Sequence, residues 1–95
     1  MTIYATDDWS MTSDLTDENA VRVADRWMLA WRCSWLPDRL LTGAQALAAM
    51  VLAEIVADDP YPRHEAAQGR MISAAGEVGI PVEQAVFLLM RRRSA

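Results

Sequence analysis

Residues 44–57 (AQALAAMVLAEIVA) constrain the fold most, because 12 of these 14 residues are apolar and only Gln45 and Glu54 are not. Thr42, with Gln45 three residues later, has the spacing of a capping box, which predicts that a helix begins after Thr42. A helix that is apolar on nearly every side must be buried on more than one side. A bilayer requires about 20 apolar residues, so the sequence predicts cover by protein and no membrane span.

A first helix is predicted to begin at Thr16, whose side chain and the two acidic residues after it suit a helix N-terminus. Apolar residues then recur three or four positions apart from Ala20 to Trp35, which is typical of a helix. Pro37 is expected to end it. Residues 1–15 have no sustained period, and we expect them to form a flexible tail.

Two more helices are predicted over residues 62–78 and 82–92, separated by Gly79 as a left-handed cap. No strand-like alternation of apolar and polar residues is evident in the chain. We therefore expect residues 16–95 to form a single all-α domain, a compact bundle of four helices.

The spacing of small and apolar residues in 74–90 resembles the helix-turn-helix motif of DNA-binding regulators. The residues that carry the resemblance are Ala75, Gly79, Ala85 and Leu88. The resemblance implies a tight C-terminal helix pair. It would place base and phosphate contacts on the outward face of the last helix, where base reading favours Arg, Lys, Asn or Gln. That face instead carries mainly Val82, Glu83, Val86, Phe87 and Met90.

Charge argues against nucleic acid as the main partner, because nine arginines and 13 acidic residues give a net charge of −4. Residues 60–95 differ from the rest, with five arginines against three glutamates. They supply the candidate nucleic-acid contacts, which are Gln84, Arg91, Arg92 and Arg93. A second interpretation is that these arginines only complement the negative end of the last helix.

Aromatic and apolar side chains suggest contact with another protein, because tryptophan is enriched at binding hot spots and exposed apolar patches mark interaction sites. The candidate protein-interaction residues are Trp27, Trp31, Trp35, Val86, Phe87 and Met90. An alternative remains open for both groups. The tryptophans would fill the core between the first two helices, and another helix of the same chain would cover the apolar residues of the last helix.

Enzyme chemistry has little support. The chain has one cysteine, Cys33, and one histidine, His64, so two-imidazole sites and internal disulfides are excluded. No zinc-ligand spacing, calcium loop or phosphate-binding glycine loop is present. We expect no catalytic residue, no metal and no cofactor.

Residues 41–54 (LTGAQALAAMVLAE) resemble a segment of small orphan proteins encoded by phages of actinobacteria. The resemblance implies a small cytoplasmic protein of a phage, of a kind that binds a macromolecule of the phage or its host. The apolar segment 44–57 also needs more cover than three short helices are expected to supply. We therefore expect a non-enzymatic protein-interaction module that self-associates as a homodimer, through this helix or through the outward side of the last helix. The alternative is a helix-turn-helix transcriptional regulator.

Overall fold

The computed structural model describes residues 3–7, 9–25 and 28–94, which form a five-stranded antiparallel sheet followed by three helices. The strands are β1 (Ile3–Asp7), β2 (Ser10–Ser13), β3 (Ala20–Asp25), β4 (Met28–Cys33) and β5 (Leu36–Leu41). The helices are α1 (Gly43–Asp58), α2 (Glu65–Val78) and α3 (Val82–Ser94). A run of strands followed by a run of helices is an α+β architecture.

The sheet is a meander in which each strand pairs with its neighbour in sequence, in the order β1-β2-β3-β4-β5. Ala20 on β3 lies opposite Cys33 on β4, and both side chains are fully buried. The next pair, Val21 and Arg32, is exposed. This alternation is typical of an antiparallel sheet with one face on the core and one face toward solvent.

Helix α1 lies between the sheet and the other two helices, since it packs against β2, β4 and β5 and also against α2 and α3. Its predicted start is confirmed. Thr42 Oγ1 accepts a hydrogen bond from Gln45 N at 3.1 Å, and Gln45 Oε1 accepts one from Thr42 N at 3.0 Å. The cover that this apolar helix requires is supplied by the same chain, partly by α2 and α3 and partly by a sheet that the sequence pattern does not predict.

The predicted all-α four-helix domain, a helical bundle, is wrong. The described residues between 20 and 41 form β3, β4 and β5 and the turn before β5, and not the predicted first helix. The misleading signal is the recurrence of apolar residues three or four positions apart from Ala20 to Trp35, which is the period of a helix. In the structure Trp31 lies on β4 and Trp35 in the turn between β4 and β5, so their spacing of four spans a turn and not one face of a helix. Trp27 itself lies outside the described residues.

The Thr16 side chain accepts a backbone hydrogen bond, as a helix cap would, but it does so in a turn. Its Oγ1 accepts a hydrogen bond from Glu18 N at 3.2 Å, and no helix follows in the described residues up to Gly43. A threonine side chain that bonds to the backbone two residues later is typical of a turn. Upstream, β1 and β2 form a hairpin where the sequence predicts a flexible tail.

The C-terminal helices agree with the predicted ones in position, with α2 beginning three residues later than predicted. Gly79 ends α2 with a left-handed φ of 89°. Helices α2 and α3 are bent by 93° relative to each other. In the part of the chain that the structure describes, no single helix is long and apolar enough to cross a membrane; this bent pair meets the requirement only when its two helices are taken together.

Candidate protein-interaction surface

The turn between α2 and α3 fixes the geometry of the C-terminal surface. Gly79 N and Ile80 N both donate to Ala75 O, at 2.8 and 3.1 Å, and Ala85 N donates to Pro81 O at 3.1 Å. The left-handed φ at Gly79 favours glycine, since a side chain at that φ is strained. The bend therefore holds the two helices nearly perpendicular.

Two arginine side chains fasten helix ends to other parts of the fold. Arg39 Nη1 on β5 donates to Val78 O at the end of α2 at 3.2 Å. Arg93 Nη1 on α3 donates to Val56 O near the end of α1 at 3.3 Å. Each bond satisfies a carbonyl that lacks a partner inside its own helix. The ends of α1 and α2 are thereby attached to a different element.

An apolar groove of about 470 Å³ lies between α2, α3 and the loop after α1. We call it the C-terminal groove. Its main apolar residues are Tyr61, Met71, Ile72, Val86, Phe87 and Met90. Three of them are largely exposed: Tyr61 at 72%, Ile72 at 62% and Phe87 at 60%. Large apolar side chains that share one exposed concave surface are typical of a binding site.

The loop that carries Tyr61 is held at both ends. Tyr61 N donates to Asp59 Oδ1 at 2.9 Å, and Gln68 Nε2 on α2 donates to Pro62 O at 2.9 Å. These bonds position the wall of the groove opposite α3. A preformed wall lowers the ordering cost of binding.

The candidate residues of the last helix come together in this groove. Val86 is buried in its floor, Met90 is half-buried, and Phe87 projects toward solvent. Another helix of the same chain therefore covers Val86 but leaves Phe87 uncovered. Ile72 and Tyr61 were not identified from the sequence. Ile72 is an apolar residue that lies outside the predicted apolar stripe of its helix. That position was the one feature of the sequence that could have identified it as a surface residue.

Trp31 and Trp35, the two candidate tryptophans among the described residues, do not share one surface. Trp35 is 2% exposed, and its Nε1 donates to Ala49 O at 3.2 Å, so it anchors the sheet to α1. Trp31 on β4 is half-buried against the core, and its ring is close to Gly43, where a Cβ would lie 3.5 Å from Nε1. The interpretation of these two residues as core side chains is the one that their burial supports.

The candidate nucleic-acid contacts are divided in the same way. Gln84 and Arg91 are exposed on α3, and the Arg91 guanidinium lies 5.6 Å from the centre of the Phe87 ring. Arg92 Nε instead donates to Glu18 Oε2 at 2.6 Å, and Arg93 bonds to α1 as described above. Two of the three arginines at the end of α3 therefore hold the fold together.

Side chains suited to catalysis are not brought together among the described residues. No group of three or more potential metal ligands is found in the described part of the chain. Burial, reinforced by the nearby Glu18 charge, raises the pKa of the Cys33 thiol from 9.0 to about 11, against backbone hydrogen bonds that lower it. A thiol with so high a pKa is a poor nucleophile near neutral pH. His64 is exposed at the start of α2.

Comparison of the chain with protein-family models, with curated proteins and with solved structures finds no match.

Proposed function

We propose that the protein is a non-enzymatic interaction module that binds another protein through the C-terminal groove. The observation that carries the proposal is the exposure of Tyr61, Ile72 and Phe87 around a single apolar concavity. Leaving three large apolar side chains in water is unfavourable, by roughly 25 cal/mol for each Å² that a partner would bury. The resemblance of residues 41–54 to phage proteins supports a cytoplasmic partner from a phage or its host.

A photoreactive benzoylphenylalanine at position 72 tests this proposal. The matched control carries the same group at position 47, because Leu47 is also an exposed aliphatic residue on a helix but lies outside the groove. Irradiation of the purified protein, alone and in lysate of its source cells, should give protein adducts from position 72 and not from position 47. Phe87→Asp should abolish the adducts. Equal adducts from both positions, or none, would contradict the proposal.

DNA binding is the second candidate, and the 93° bend between α2 and α3 favours it. Helix-turn-helix pairs cross at about 90–120° over a turn of three or four residues. The side chains favour it less, because Glu83 and Phe87 lie on the exposed face of α3 and two of its three terminal arginines contact other parts of the fold.

Anisotropy measurements with labelled duplex DNA separate these two candidates. A DNA-binding protein should bind at low salt, with an affinity that falls steeply as salt rises. Gln84→Ala with Arg91→Ala is the appropriate variant, since replacing Arg92 or Arg93 would also break contacts within the fold. If the wild type binds DNA and this variant does not, the result would support the second candidate. If the wild type does not bind DNA at low salt, the second candidate is excluded.

A further inference from the structure

Helix α3 exposes a row of three residues that are, in chain order, acidic, aromatic and basic: Glu83, Phe87 and Arg91. They are spaced four residues apart and therefore follow one side of the helix. Glu83 and Phe87 line the C-terminal groove, and the guanidinium of Arg91 lies 5.6 Å from the centre of the Phe87 ring. Along α3 the row is acidic, aromatic and basic. We call it the α3 row.

The α3 row is complementary to itself when it is reversed. Glu83 and Arg91 each lie four residues from Phe87, which is about 6 Å along the helix axis. A two-fold axis through Phe87 and perpendicular to α3 would therefore bring Glu83 of one copy level with Arg91 of the other, and the reverse. We propose that the partner that binds the C-terminal groove is a second copy of this chain, with the two α3 helices antiparallel. This inference rests on the proposed function of the groove.

This arrangement uses the groove as well as the charges. The axis would place the two Phe87 rings at the centre, against the apolar walls that Ile72 and Tyr61 provide. An apolar centre with charged groups at its edge is the usual anatomy of a protein interface. The same patch is used on both copies, as two-fold symmetry requires. Antiparallel α3 helices also bring the positive end of each helix dipole near the negative end of the other.

The charge order favours a second copy over an unrelated helix. A foreign apolar helix would require only the groove, and it would place no demand on the residues four positions before and after Phe87. The neighbouring arginines also differ from Arg91, because Arg92 and Arg93 contact Glu18 and α1. Arg91 thus remains on the row, beside Phe87, where a reversed copy would present a carboxylate.

Charge reversal with mixing tests the pairing. Glu83→Arg places arginines at both ends of the row, and Arg91→Glu places glutamates at both ends. Each variant alone should repel its own copy, with a dimer dissociation constant raised at least tenfold in sedimentation equilibrium at low salt. An equimolar mixture of the two should dimerise like the wild type, because every facing pair is then of opposite charge. The double variant Glu83→Arg/Arg91→Glu should also dimerise.

Glu77→Arg is the matched control, since it reverses an exposed charge on α2 outside the row and should leave dimerisation unchanged. Circular dichroism checks that every variant is folded. A wild type that is monomeric at 100 μM (roughly the top of the micromolar range of moderate affinities) overturns the inference. So do single variants that dimerise normally, or a mixture that stays monomeric. Adducts from position 72 to a different protein would then still support the proposed function, whereas a lack of any adduct would contradict both.

Discussion

Glu54 is a carboxylate in the middle of the most apolar helix, and its side chain has no exposed surface. Its Oε2 accepts a hydrogen bond from Ser13 Oγ on β2 at 2.7 Å. Oε1 is buried and has no hydrogen-bond partner among the described residues. When a buried polar group has few hydrogen bonds, the loss of one of them leaves the group unsatisfied and adds its desolvation cost. Ser13 therefore connects the sheet to α1 at a sensitive point.

Ser13→Ala should lower the free energy of unfolding by about 2 kcal/mol, since it removes a hydrogen bond to a buried carboxyl group. Urea denaturation measures the change. In the Glu54→Leu background the same substitution should cost at least 1 kcal/mol less, which a double-mutant cycle would detect. Ser73→Ala, at an exposed position on α2, is the control and should change stability by less than about 0.5 kcal/mol. Additive costs of the two substitutions would contradict a direct Ser13–Glu54 interaction.

Cys33 gives the fold a dependence on alkaline pH. Burial raises the pKa of its thiol from 9.0 to about 11. Between these two values the thiol of the unfolded chain has lost its proton and that of the folded chain retains it. The contribution of the protonated thiol to the free energy of unfolding is therefore fully present below pH 9 and is lost as the pH rises toward 11. The decline should amount to about 3 kcal/mol, at 1.36 kcal/mol for each pH unit.

Cys33→Ala isolates this effect, because all other titrating groups are the same in both proteins. The stability difference between wild type and Cys33→Ala, measured in urea, should shrink as pH rises from 8.5 to 11. Parallel stability profiles of the two proteins would show that the thiol titrates alike in the folded and unfolded states.

At the scale of elements, the capping box at the start of α1 is a local device with a separable contribution. Thr42→Ala should lower the free energy of unfolding by about 1 kcal/mol, because Gln45 N loses its acceptor. Thr42→Ser retains the hydroxyl and should recover most of that loss in the same denaturation experiment. If serine and alanine are equally destabilising, the hydroxyl does not cap α1.

Elements whose ends depend on residues adjacent in sequence were predictable, and elements that depend on pairing with distant segments of the chain were not. The start of α1 follows from Thr42 and Gln45, and the end of α2 follows from Gly79, since both depend on residues adjacent in sequence. The strands depend on pairings such as Ala20 with Cys33, which no local pattern reveals. The groove was half predictable for a similar reason. Phe87 stood out on its own helix, but its neighbour Tyr61 comes from a loop that only the folded chain brings close.

At the scale of the whole molecule, the apolar surface of α1 decides which parts of the chain are indispensable. An all-α domain with a tail would cover α1 with helices and leave the first residues free. In the structure, β2 packs directly on α1, and Arg22 N on β3 donates to Trp9 O at 2.7 Å, beside β2. The N-terminal hairpin is thus part of the cover over α1. It also supplies Ser13, the hydrogen-bond donor to Glu54.

Removal of residues 1–13 distinguishes these two architectures. Without β2 the Glu54 carboxylate loses Ser13 and the sheet side of α1 is opened to water, so the truncated chain should lose at least 3 kcal/mol of stability, or roughly 12–24 °C in Tm. Asp14→Asn, at an exposed position directly after the removed segment, is the control and should leave Tm nearly unchanged. Thermal melting followed by circular dichroism measures both. A truncated chain that melts like the full-length protein would mean that β2 contributes nothing to the core, and the sheet would then have to be held on α1 by β4 and β5 alone.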